Sequence, residues 1–261
     1  DYSLRNITPE AAQGSLAALL EQVSALPGVK RAAVTTQTPM SNSETDRRIL
    51  RADTPVGESD STESARQGAV ALFSGITPGY FETLSVPILR GRDFTESESR
   101  DVRAPRVAII DTSLAHKLFP EGGALGQHIR SAEEAGVELE VVGIVGEHRH
   151  EFLQVEPTYR LFVPLVHGYA GRVFLQTRMD DASPGNLVGS VARLRGEMQR
   201  MNPDLPVLKH EPLTVFINRD FSLWSARLGA VVFGLFGAVA LLLSVLGVYS
   251  VKAYAVAGRT R

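Results

Sequence analysis

The chain has 261 residues, with 27 Lys and Arg against 29 Asp and Glu, and it contains no cysteine. A net charge of −2 argues against a nucleic-acid-binding surface, and the lack of cysteine excludes a disulfide framework and a thiolate metal site. The mean hydropathy near zero averages one strongly apolar segment with a polar remainder long enough to bury a full core.

In chain order, Thr8 is placed to cap a helix with Pro9 at its first position. Leu16, Leu19, Leu20, Val23 and Leu26 follow at helical spacing, and Pro27-Gly28 stops them. The β-formers of VKRAAVTTQ, from Val29, predict a strand. From Met40 to about Arg66 the chain is polar and little periodic, which predicts an exposed excursion with a short strand near Ile49. Ala69 to Phe73 is a predicted strand, and Thr77-Pro78 opens a short helix carrying Tyr80, Phe81 and Leu84. Val86 to Leu89 is a strand leading into the turn Arg90 to Phe94.

Arg106 to Ile110 has the continuous apolar character of a buried strand. Asp111 or Thr112 then caps a helix through Leu114, Leu118 and Phe119, which Pro120 ends. Further strands are predicted at Gln127 to Arg130, from Val137, at Tyr159 to Val163 and at Arg172 to Thr177. Ser183-Pro184 starts a long helix with the apolar stripe Leu187, Val188, Val191, Leu194, Met198 and Met201. Asn202-Pro203-Asp204 breaks it, and Pro206 to Lys209 returns as a strand. This helix–turn–strand unit echoes the one from Leu16 to Thr36, which suggests an α/β layer with a strand-rich middle inserted between its two parts. Thr214 caps a helix through Phe216, Phe221 and Trp224 that runs on into the next segment.

Leu228 to Val251 carries no charge over roughly 24 positions, enough for a helix to cross ~30 Å of hydrocarbon. Lys252, Arg259 and Arg261 follow without an acid, so the positive-inside rule places the C-terminal end in the cytoplasm and residues 1–227 outside it. Trp224, Tyr249 and Tyr254 sit where an aromatic belt belongs, and Ala230, Gly234 and Ala238 form a small-residue ridge. A large outer domain ahead of an exit helix calls for an entry helix upstream. The chain is therefore expected to be part of a longer membrane protein.

Several local patterns, taken together, resemble one family. They are LPGV at Leu26 to Val29, TPGYFETLSVPILRGRDF at Thr77 to Phe94 and RVAIIDTSLAHKLFP at Arg106 to Pro120. With them go GGALGQHI at Gly122 to Ile129, VVGIVGEHR at Val141 to Arg149 and LLLSVLGVYSVKAYAVAGRTR at Leu241 to Arg261. The chain resembles the periplasmic core domain and second membrane helix of MacB/FtsX-type ABC transporter permeases, most closely those of acidobacterial type. Residues 41–66 carry no pattern of the family.

The resemblance implies an α+β fold: a two-lobed extracytoplasmic domain followed by one transmembrane helix. Residues 1–90 and 172–213 would form a porter-like α/β lobe, and 91–171 an inserted strand-rich lobe. Residues 214–227 would be a pre-membrane helix, 228–251 the span and 252–261 the start of a cytoplasmic coupling region. It further implies a non-enzymatic permease subunit of a bacterial inner membrane that transmits ATP-driven conformational change. Its partners would be an ABC ATPase subunit that binds the ATP, a second permease copy, a periplasmic adaptor or substrate protein, and the lipid bilayer. The absence of a GxxxxGK[ST] loop agrees with nucleotide binding elsewhere. No catalytic, metal or cofactor residue is assigned.

Glu147, His148, Arg149, His150 and Glu151 form the densest polar cluster, but Gln154 stands where a zinc-protease helix needs its second histidine. Gly122, Gly123 and Gly126 lack the Lys-Ser/Thr of a phosphate cradle and are read as a turn. Met198 and Met201 are read as core. Arg90 and Arg92 are read as shaping a turn, or alternatively as holding a partner's carboxylate. The alternative function is an extracytoplasmic sensor domain of a signalling receptor. A third, a tethered enzyme, would need a pocket of convergent polar groups.

Overall fold

The computed structural model describes residues 9–37, 46–54, 68–134, 136–146, 159–169, 172–181, 183–201, 212–213, 215 and 221–257. The expected cap at Thr8, the His-rich cluster at 147–151, the strand at 206–209 and the start at Thr214 lie outside them. The chain divides into two compact units, residues 1–212 and 213–261.

The first unit contains α1 (Pro9–Ser24), β1 (Val29–Thr35), β2 (Asp46–Arg51), β3 (Ala69–Ile76), α2 (Tyr80–Leu84), β4 (Ile88–Gly91) and α3 (Glu96–Arg100). They are followed by β5 (Val107–Asp111), α4 (Thr112–Leu118), β6 (His128–Ser131), β7 (Glu138–Val145), β8 (Tyr159–Pro164), α5 (Leu165–Gly168), β9 (Phe174–Met179) and α6 (Pro184–Met201). The strands share one mixed sheet in the order β2-β6-β7-β5-β8-β3-β1-β9, with β4 paired to β7 and a further pairing of β2 with β3. That last pairing closes a ring: β2, β6, β7, β5, β8 and β3 each have a partner on both sides.

Alternation along the ring strands builds its interior. Ile49, Ala71, Phe73, Ala108, Ile110, Ile129, Leu139, Val141, Leu161 and Val163 all fall in one buried cluster. In β7 the strict period breaks, because Ala108 faces Val141 while Ile109 faces Gly143. The extra residue, Val142, is a bulge, and it switches the sides of the strand. Ile144 therefore joins the interior while Val142 and Val145 join a second cluster on the outer face. α4 touches β3, β5, β7 and β8 and adds Leu114, Ala115 and Leu118 to the ring core. The outer cluster packs Tyr80 and Phe81 of α2 against Ile109 and Phe162, with Phe81 edge-on to Phe162 at 5.0 Å.

Beyond the ring lies an open layer. β1 pairs antiparallel with β9, and Leu16, Leu19 and Val23 of α1 and Met198 of α6 are buried over them. β3 joins the two parts. Ala69 to Leu72 pair with β2, whereas Ile76 pairs with Thr35 of β1. The expected lobe boundary at residue 90 thus falls inside this sheet, since β2 and β3 precede it yet pair with β6 and β8.

The second unit is dominated by α7 (Phe221–Ala257). Its segment Leu228–Gly247 is long and apolar enough to cross a membrane and is unburied in the chain by itself. Twenty residues at ~1.5 Å each span about 30 Å, the thickness of a hydrocarbon core.

Candidate functional site

The longest motif of the sequence, Thr77 to Phe94, folds into a latch at the meeting of β1, α2 and β4. Thr77 fastens it to β1: its N–H donates to the Val34 carbonyl at 3.0 Å, and its Oγ1 accepts from the Val34 N–H at 2.9 Å. Gly79 then takes φ +79 at the N-cap of α2, a conformation that suits glycine. Its N–H donates to Asp93 Oδ2 at 2.9 Å, while Asp93 Oδ1 accepts from the Phe94 N–H at 2.8 Å. Burial pushes the Asp93 carboxyl above its usual range, and the two N–H donors oppose that.

Gly91 needs to be glycine. It has φ +78, and a Cβ there would lie 2.2 Å from the Val142 carbonyl oxygen. The next residue, Arg92, lays its fork on Glu98 at 2.9 and 2.7 Å. Glu98 also accepts from the Thr95 N–H at 2.8 Å, and Thr95 Oγ1 accepts from the Glu98 N–H, a capping box that starts α3. The Arg92 guanidinium, with these donors, holds the Glu98 carboxyl down at about 2. Arg92 is thereby engaged within its own turn, and the alternative of receiving a partner's carboxylate does not fit it. Arg90 remains exposed and makes no ion pair among the described residues. Asp93, Arg92 and Glu98 are thus each held in place by hydrogen bonds within the latch.

The other sequence candidates fall apart from one another. Gly122, Gly123 and Gly126 adopt positive φ in a turn, and the Gly126 N–H is spent on the Val141 carbonyl of β7 at 2.8 Å. Met198 is buried against Leu19 and Val23, as expected of a core residue. No group of three or more His, Asp or Glu able to hold a metal occurs among the described residues. In α7, Phe233, Val231 and Leu241 stand exposed, as does the rest of the apolar segment. A Cβ added at Gly234, within the small-residue ridge, meets nothing within 4 Å.

Sequence reasoning missed one polar group. Arg160, the second residue of β8, is only 3% exposed. The register that pairs Ile110 with Leu161 sets it across from Asp111. Burial lowers its pKa to about 10, against the opposing pull of Tyr80 and Asp111. Tyr80 beside it is pushed up to about 12, again by burial. The only signal in the sequence was parity: Arg160 shares a strand face with Phe162, which packs under α2.

The sequence model of the MacB-like periplasmic core domain family matches residues 4–194. Among solved structures, the chain is similar to the periplasmic region of MacB from Actinobacillus actinomycetemcomitans. The identity is 13% and the TM-score 0.48, over 71% of this chain and 73% of that one. It is also similar to the extracellular domain of the noncanonic ABC-type transporter YknZ from Gram-positive bacteria. There the identity is 16% and the TM-score 0.45, over 69% of this chain and 82% of that one. No curated protein matches the chain.

Proposed function

Because the chain belongs to the MacB-like periplasmic core domain family, we propose that it works as the moving outer part of an ABC transporter permease. In this reading a cytoplasmic ATPase subunit hydrolyses ATP, and the permease carries the resulting shift across the inner membrane to the outer domain. The ring supplies a rigid body and α7 a continuous rod. A packed element of this kind passes on a displacement between discrete arrangements. The observation that carries the reading is α7 itself: 37 helical residues, of which Leu228–Gly247 are apolar and unburied, follow a family-matched domain in the same chain.

The finer parts of the proposal are these. Residues 1–227 face the outside and the C-terminus the cytoplasm. The open α1/β1/β9/α6 layer is the porter-like lobe and the ring the inserted lobe, with β3 common to both. Two permease copies work together, their spans approaching along Ala230, Gly234 and Ala238, and a periplasmic adaptor or substrate protein is the outer partner.

The 261 residues contain no cysteine, and any cysteine elsewhere in the full-length permease is first replaced by serine. Glu121→Cys carries a spin label in the full-length permease, reconstituted with its ATPase. The expected result is an interspin distance between two copies that changes on trapping with ATP and vanadate. A distance unaltered by trapping would overturn transmission, and no interspin signal would overturn the pairing. For topology, an impermeant maleimide should label Glu121→Cys but not Thr260→Cys in intact spheroplasts. A sensor-domain reading predicts no response to vanadate.

A further inference from the structure

One joint between the ring and the open layer runs through α5. This short helix packs on β3, β8 and α3, and its Leu165 is buried with Leu16 of α1 and Val34 of β1. Gly168 lets it lie directly on the sheet: a Cβ there would sit 2.5 Å from the Cα of Gly75. Gly75 in turn fastens the end of β1. Its N–H donates to Thr36 Oγ1 at 2.8 Å, and its carbonyl accepts from the Thr36 N–H at 2.9 Å. Beside Gly168 stands His167, half-buried, whose Nε2 is shut off from water and has no hydrogen-bond partner.

A neutral imidazole fits this place, because it can carry its proton on Nδ1 and leave Nε2 as a lone pair. Protonation sets an N–H on Nε2 with no acceptor and brings a charge into a partly dehydrated spot. The groups around α5 give that charge no relief. Arg106, which acts on the imidazole, is itself a cation. On α3, Glu98 is paired with Arg92 and Glu96 with Arg100. β3 has no titratable residue from Ala69 to Ile76, and β8 brings only Tyr159 and the buried cation Arg160. On the layer side stand Glu10 and Glu21 of α1, Lys30 and Arg31 of β1, and Tyr169, with Arg31 paired to Glu82. Burial, and after it Arg106, lowers the His167 pKa from its ordinary 6.5.

We propose that His167 is a pH-sensitive fastener between the ring and the layer. Neutral, it keeps α5 seated on Gly75; protonated, it lets α5 lift and loosens β1 from β3. The device is separate from the latch and does not depend on the transport reading. Its sign follows from linkage: a group whose pKa is depressed in the seated state supports that state above 6.5 and withdraws support as pH falls below it.

The experiment reads hydrogen exchange at the Thr36 and Gly75 amides in the full chain in detergent, at about pH 7.5 and about pH 5, each corrected for the intrinsic exchange rate. Their protection should fall in acid by about tenfold for each unit that separates the seated His167 from 6.5. The Ile110 amide, inside the ring, should keep its protection. His167→Gln is neutral at both values and should abolish the acid loss, whereas His167→Arg should show the loss already at neutral pH. If His167→Arg does not fold, the imidazole Cε1–H resonance decides instead. Identified by its disappearance in His167→Gln, it should titrate below 6.5 together with the fall in protection. An equal acid loss in His167→Gln, no loss in the unsubstituted chain, or a His167 titration at or above 6.5 would overturn the fastener.

Discussion

The closed ring and the open layer share β3, yet they bury their side chains very differently. Every strand of the ring is paired on both edges, and its inward residues reach 0–1% exposure at Ile49, Ile110, Ile129 and Leu161. In the layer, β9 pairs with β1 alone among the described strands, and none of its six residues is fully buried. α6 buries Met198 and Ser190, while Val191 and Leu194 stay half-exposed. Closure satisfies backbone and core together, whereas an open sheet leaves its last strand half-wetted. The ring should therefore be the stiffer body and the layer the part that yields first.

The sharpest way to break the ring is at its bulge. Gly91→Ala forces a side chain onto the Val142 carbonyl in a left-handed backbone, with Leu125 Cδ1 at 2.7 Å as well. It should cost more than about 3 kcal/mol and leave little folded protein, read as loss of the unfolding transition. A matched pair of truncations then measures the contrast itself. Leu161→Ala in the ring should cost about 3–5 kcal/mol, against about 1–2 for Leu175→Ala in β9, by urea unfolding of the two variants. Equal losses would mean the layer is as tightly packed as the ring.

These contrasts were only partly legible in the sequence. Strand alternation and helix stops locate β1, β5, β7, β8, α1 and α6 to within a residue or two, because each is a local signal, whereas β3 runs three residues past the predicted Phe73, to Ile76. The strand expected at Val86 to Leu89 lies two residues later, at Ile88–Gly91, since Val86 is held by the C-terminal turn of α2 through its N–H to the Phe81 carbonyl. α3 could have been found: Thr95 and Glu98 spell a capping box. The four-residue α5 has no comparable signal. Ring closure was hidden for a different reason, because it depends on β2 pairing with β6 some eighty residues onward, and no local pattern encodes so distant a partner. Arg160 was hidden because alternation says which face a residue shares but not what covers that face.

A smaller effect separates the latch from both regions by its response to acid. Glu98 is held at about 2 in the folded chain, below its ordinary value of 4.5. A carboxylate with a depressed folded pKa adds stability above its unfolded pKa and loses it as pH falls through the folded one. Stability should therefore decline between about pH 4.5 and pH 2, and Glu98→Gln should flatten that limb while lowering stability at neutral pH. The burial-raised pKa of Asp93 acts in the opposite sense, so Asp93→Asn should not reproduce the flattening. An unchanged acid limb in Glu98→Gln would show that the Arg92 pair does not govern it.

The smallest expected effect lies two residues from that pair. Arg92 and Arg90 belong to one turn and carry one charge each, but among the described residues only Arg92 has a carboxylate. Arg92→Ala removes two hydrogen bonds to Glu98 and leaves that carboxylate with fewer donors, for an expected loss of about 1–2 kcal/mol. Arg90→Ala removes an exposed side chain with no ion pair among the described residues, and should stay within about 0.5 kcal/mol. Thermal unfolding of the two variants side by side measures the difference. If Arg90→Ala cost as much as Arg92→Ala, the charge of the turn rather than the Arg92–Glu98 geometry would be holding β4 against β7.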